Sequence, residues 1–168
     1  MRFESRTVVV TGGTGALGQA VVDAIVREGG RCVVPVHRMK EMPRTDGPGK
    51  VEYVTGIDLT DEGAVTRFYA GLGTLWASVQ TAGGFAMGPI AGQTKADFAQ
   101  MLETNALTSF LCCREAIKAM RRGGAVGGGG RIVNVAAKVG LPPRNRRSRS
   151  EKRSHAYRRS IRRPKRRL

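Results

Sequence analysis

Apolar residues in this chain follow two alternating rhythms. Five short runs rich in Val, Ile and Thr, at 7–11, 31–36, 51–56, 75–81 and 131–135, predict β-strands. Longer stretches with helical spacing lie between them. Residues 17–27 predict a first helix, closed by Gly29-Gly30. Asp61 is placed to cap a second, running to about Gly71. Residues 95–103 and 105–121 predict one long helix or two adjoining ones. Proline and glycine mark loops at 39–50 and 123–130, the latter flexible. Strand and helix in alternation predict an α/β fold around a parallel sheet of about five strands.

The junction between the first strand and the first helix carries the most chemistry. It reads Thr11-Gly12-Gly13-Thr14-Gly15-Ala16-Leu17-Gly18. Glycines let the backbone turn tightly, and a helix N-terminus offers N–H donors with a partial positive charge. Together they make a cradle for the diphosphate of a dinucleotide, with Gly12, Thr14, Gly15, Leu17 and Gly18 as candidate contacts. A tight turn without a ligand is the other reading of these residues. The flanking strand and helix favour the nucleotide site.

Composition narrows the class and then divides the chain. The 168 residues are 40% hydrophobic, enough for one core, and no apolar run approaches the roughly 20 residues of a membrane span. The first strand follows almost directly on Met1, so no signal peptide is expected. Cys32, Cys112 and Cys113 show no metal-ligand spacing, and their odd number argues against a disulfide framework. No metal site is expected, Cys112 and Cys113 read as core packing, and a cytoplasmic location fits. The net charge of +16 is unevenly spread. Residues 1–143 hold 16 Lys/Arg against 12 Asp/Glu, whereas residues 144–168 hold 13 Lys/Arg against one acid, Glu151. Two regions are therefore expected: a dinucleotide-binding domain over 1–143 and an Arg-rich, disordered tail over 144–168. Such a tail neutralises phosphates non-specifically. With Tyr157 as its one aromatic, base stacking would be scarce. A nucleic-acid-binding protein on an α/β scaffold is the alternative reading.

The order of motifs through the fifth strand resembles the short-chain dehydrogenase/reductase family, over about residues 6–143. Thr11-Gly12 through Gly18 resembles that family's TGxxxGxG turn, with Ala16 in place of the middle glycine. Asp58-Leu59 resembles the pair whose aspartate meets the adenine ring; spacing alone fits a turn aspartate as well. Ala82-Gly83-Gly84 resembles the end of the family's NNAG, with Gln80 and Thr81 where the asparagines stand. Asn105 resembles the helix asparagine that organises a water in the proton relay, although a capping or helix-joint role fits its position too. The resemblance implies a Rossmann-like, doubly wound parallel sheet in the order 3-2-1-4-5. It also implies an NAD(P) cofactor and hydride transfer to or from a small carbonyl or alcohol substrate. At the end of strand two, NAD enzymes of this type carry an acid for the ribose hydroxyls. Here His37-Arg38 stand instead, and Arg pairs with a 2′-phosphate that a carboxylate would repel. NADP(H) is favoured over NAD(H), with a solvated loop role the other reading of Arg38.

The same resemblance shows what is missing. The family's chemistry uses a Ser, a Tyr and a Lys four residues after it, the cation helping a phenol with a pKa near 10 to act at neutral pH. Ala136-Ala137 occupy the serine position, and Tyr157 is followed four residues on by Ile161. The family's later helix and strands have no counterpart after Pro143, so the sheet is expected to be incomplete and its fifth strand a free edge. Leu107, Phe110 and Leu111 are expected to be exposed, and the oligomer interface of full relatives to be incomplete. A change of reading frame after about Pro143 would account for the abrupt switch to arginine. Catalysis by this chain alone is not expected.

Overall fold

The computed structural model describes residues 1–38, 43, 45–123 and 129–136. The strands are β1 (Thr7–Thr11), β2 (Arg31–Val36), β3 (Lys50–Thr55), β4 (Ala77–Gln80) and β5 (Arg131–Asn134). The helices are α1 (Ala16–Arg27), α2 (Glu62–Ala70), α3 (Lys95–Met101) and α4 (Thr108–Arg122). All pairings are parallel, in the order β3-β2-β1-β4-β5. The disorder expected for 144–168 falls outside the described residues.

Alternation along the central strands sends side chains to two cores. Val8 and Val10 of β1, with Cys32, Val34 and Val36 of β2, face Val22, Ile25 and Val26 of α1. Val9 and Val33 face the other way, against Val65, Phe68 and Tyr69 of α2 and Leu111, Ala116 and Ala119 of α4. Burial on both faces explains why these strands read as unbroken Val runs.

Local chemistry fixes the ends. Gly29, with φ 84°, terminates α1 while the Gly30 N–H reaches back to the Ile25 carbonyl at 3.0 Å. Asp61 caps α2 through the Ala64 N–H at 2.9 Å. Thr94 and Asp97 form a reciprocal capping box at the start of α3. The β1–β2 ladder stops at Val33, so Pro35, which has no N–H to give, stands beyond it. Glu115, almost fully buried in α4, accepts from Arg114 and Lys118 at 2.8 Å each, and Arg114 reaches Glu62 of α2 at 2.7 Å. Burial acts to raise the Glu115 pKa, but its two cationic partners outweigh that and hold it below the ordinary value.

Several expectations need correction. The stretches 95–103 and 105–121, expected as one long helix or two adjoining ones, do join as one continuous run, and what the sequence did not indicate is the π-helical segment at Leu102–Leu107 between α3 and α4. Strand four, Ala77–Gln80, is shorter at both ends than expected, although the Trp76 and Thr81 N–H groups still donate to the Thr7 and Thr11 carbonyls of β1. Leu107 and Phe110 are exposed as expected, but Leu111 is buried, since it lies on the side of α4 that faces the sheet. Cys112 is buried, whereas Cys113 is only half-buried and points its thiol at Asn134 Oδ1, 3.3 Å away.

Candidate functional site

Thr11 closes β1 and anchors the end of β4. Its hydroxyl accepts the Ala82 N–H at 3.3 Å and donates to Gln80 Oε1 at 3.1 Å. Gln80 Nε2 donates to Ser78 Oγ at 2.9 Å, and Ser78 shares a 2.9 Å hydrogen bond with the Tyr69 hydroxyl. All four side chains are buried, so each link is a satisfied polar group in a dry setting. Burial, reinforced by Cys112, pushes the Tyr69 phenol far above its usual range and keeps it neutral.

Two glycines let the backbone layers meet. Gly12 has a left-handed φ of 67°, and a Cβ there would lie 2.7 Å from the Ala82 nitrogen. A Cβ on Gly18 would overlap the Gly12 carbonyl. The first turn of α1 is thereby pressed onto the β1 turn. Gly15 is the N-cap and no side chain caps the helix, whose first turn carries no acid. Its N–H groups and partial positive charge are left for an anion.

A groove of about 310 Å³ opens at the C-terminal ends of the strands. Gly12 and Thr14 line it from the β1 turn, His37 and Arg38 from beyond β2, Leu59 and Thr60 from beyond β3, and Ala82 and Gly83 from beyond β4. Thr104 and Thr108 close it from the π segment and α4. Strand order turns back between β1 and β4, the place where open α/β sheets take their ligands. The lining holds Arg38 and no carboxylate.

The short chain dehydrogenase family model matches residues 6–149. The chain belongs to the short chain dehydrogenase family. Its match runs past the boundary drawn from composition at Pro143. The chain is 28% identical to the sorbitol dehydrogenase of Cereibacter sphaeroides over 145 residues, covering 83% of this chain and 56% of that protein. It is 31% identical to the 3beta-hydroxysteroid dehydrogenase of Mediterraneibacter gnavus over 157 residues, 83% of this chain and 52% of that one. A solved NADH-dependent reductase, A1-R′, complexed with NAD, shares the fold with a TM-score of 0.69 at 15% identity, over 82% of this chain and 61% of that one. The chain thus spans about half the length of the curated relatives it matches.

In this member of the family, the fold brings Gly12, Thr14, His37, Arg38, Leu59, Ala82 and Gly83 to one groove. Gly15 and Gly18 shape it from behind, and Leu17 stands 54% exposed on α1. Asp58 does not line it. Its Oδ1 accepts the Thr60 N–H at 2.9 Å and the Thr60 hydroxyl at 2.7 Å, and those bonds hold the carboxyl below its ordinary range, with His37 adding to them and burial opposing. Asn105 is likewise set back. Its Oδ1 accepts the Gly84 N–H at 3.0 Å and its Nδ2 donates to the Met101 carbonyl at 2.9 Å, so the side chain ties the turn after β4 to the π segment. Ala136 is exposed after β5, while Ala137, Tyr157 and Ile161 fall outside the described residues. Sequence reasoning missed Thr60, Thr104 and Thr108. A threonine two residues after Asp58 was the available signal for the first. The other two become visible only once the π segment places them over the sheet end. Among the described residues no three His, Cys, Asp or Glu side chains are grouped to hold a metal, and no helix is long and apolar enough to cross a membrane.

Proposed function

We propose that this chain binds a nicotinamide dinucleotide in the groove between β1 and β4, and NADP(H) in preference to NAD(H). The observation that carries the preference is Arg38 in a groove wall without a carboxylate. The uncapped start of α1 and the turn through Gly12, Thr14, Gly15, Leu17 and Gly18 would take the diphosphate. His37 and Arg38 would take the 2′-phosphate, and Leu59 beside Asp58 would flank the adenine. Ala82, Gly83 and Gly84 would pass close to the far ribose, held there by Thr11 and Asn105. Asn105 is a positioning residue in this reading.

The bound cofactor supplies or accepts a hydride. In longer relatives this serves oxidation or reduction of an alcohol or carbonyl. These 168 residues contain no Tyr-x-x-x-Lys, and Ala136 follows β5 where a serine would orient a carbonyl. The chain by itself is therefore a cofactor-binding module without proton delivery. The nucleic-acid reading rests on the tail alone, and no observation on the described residues favours it.

Titration of the chain with NADPH and NADH tests this. Saturable NADPH binding, tighter than NADH by about tenfold, is expected, and Arg38→Ala should remove most of that ratio. Equal affinities unchanged by Arg38→Ala would sink the preference, and no saturable binding would sink the site.

A further inference from the structure

A second concavity lies at the opposite end of the sheet, where β1, β2 and β3 begin. It holds about 240 Å³ and is lined by Arg6, Arg31 and Lys50 together with Ser5 and the backbone of Gly30 and Gly49. Its lining carries three cations and no carboxylate. Arg31 and Lys50 are register partners on neighbouring strands, so two like charges stand side by side. That placement disfavours the fold unless an anion offsets it. Glu52 supplies one, pairing with Arg31, and an excess of two positive charges remains.

Arg6 is held in place by two devices. Phe3 to Arg6 forms a turn closed by the Arg6 N–H on the Phe3 carbonyl at 3.0 Å, with Ser5 at φ 60°. Ser5 is the one described non-glycine residue in that left-handed region, a conformation an L side chain rarely takes. The guanidinium it delivers lies 4.3 Å from the centre of the Trp76 ring. A planar fork fixed on an aromatic face is pre-ordered to receive oxyanion oxygens.

We infer that this pocket binds a phosphate dianion, free or carried on a small molecule. The excess charge matches a dianion, and the Arg6 guanidinium and the Lys50 ammonium are the cations left to meet its oxygens. The inference does not depend on the dinucleotide groove, which lies at the other strand ends. It also comes with a reporter, because Trp76 is the sole tryptophan and sits under Arg6.

The experiment is a titration of the full chain with inorganic phosphate and, separately, with glycerol phosphate, at constant ionic strength, reading Trp76 fluorescence. A saturable change is expected with at least one of them, and the lower midpoint identifies the free or the esterified source. Lys50→Ala should raise that midpoint about tenfold. Because Lys50 is exposed and its charge stands beside that of Arg31, the variant should unfold no earlier than the parent, and Lys50→Gln provides a second variant with the same expectation. Saturating NADP⁺ should leave the phosphate midpoint in place. The inference is overturned if fluorescence does not change, if chloride gives the same change, or if both Lys50 variants bind as the parent does. Displacement by NADP⁺ would also overturn it, since that assigns the phosphate to the groove.

Discussion

Among the described residues, the α1 side of the sheet is covered at one end and uncovered at the other. Over β1 and β2, Val8, Val10, Val34 and Val36 are buried beneath Val22, Ile25 and Val26. At β5, Val133 is 48% exposed and Val135 is 50% exposed, with β4 the one strand beside them among the described residues. The two ends share strand type and residue type, and what differs is a covering helix. The proposed cofactor groove belongs to the covered end. The position after β5, where a serine would be needed, belongs to the bare one. If the proposed groove holds the cofactor, binding and chemistry draw on different ends of one sheet and are separable.

The sharpest way to break this comparison is at the covered end. Gly18→Val places side-chain atoms on the Gly12 carbonyl and should cost about 3 kcal/mol or more, seen as a large fall in the urea midpoint. A midpoint close to the parent's would mean that the turn and α1 are not locked together. The next test uses one substitution at both ends. Val10→Ala, at a site with no exposure, should cost about 2 kcal/mol, whereas Val133→Ala should cost less than about 0.5 kcal/mol. Equal losses would mean that β5 is covered in solution.

A smaller effect concerns acid. Glu115 and Asp58 both titrate below their ordinary values in the folded chain. For a carboxyl lowered on folding, the linked stability is fully present above the unfolded pKa, here near 4.5 for Glu115, and drains as pH falls through the lower folded value. Glu115→Gln should therefore lower stability at neutral pH and flatten the acid limb of the stability curve. A mutant curve parallel to the parent's down to acid pH would show that the Arg114 and Lys118 contacts carry no net weight.

The smallest perturbation leaves the fold alone. Burial raises Cys32 to about 12, with Asp23 adding to it, and raises Cys112 to about 12 against a hydrogen bond from Tyr69. Neither forms thiolate readily, so a thiol reagent should modify Cys113 first and about one thiol per native chain. Rapid modification of all three would mean that neither α1 nor α4 stays packed on the sheet.

The central strands were legible because buried parallel strands write themselves as Val runs between helical spacings, whereas their order came only from the family resemblance. The turn at Gly12 to Gly18 was legible for a related reason. Its glycines answer to close backbone approach, which few other residues tolerate. The side of α4 was less so. Leu107, Phe110 and Leu111 look alike as letters, and only the π segment decides which of them turns to the sheet. Asp58 and Asn105 were recognisable as polar residues at suggestive places. Their partners, Thr60 and Gly84, were not, because a carboxylate or amide reads the same whether it faces a ligand or its own backbone.

The most direct test follows NADPH fluorescence and absorbance in one sample of the chain, first alone and then with an aldehyde or ketone added. The account predicts saturable binding that Gly12→Val abolishes, with NADPH absorbance unchanged after the carbonyl compound is added. Absence of saturable binding would contradict the groove, and oxidation of NADPH dependent on the carbonyl compound would contradict the separation of binding from chemistry.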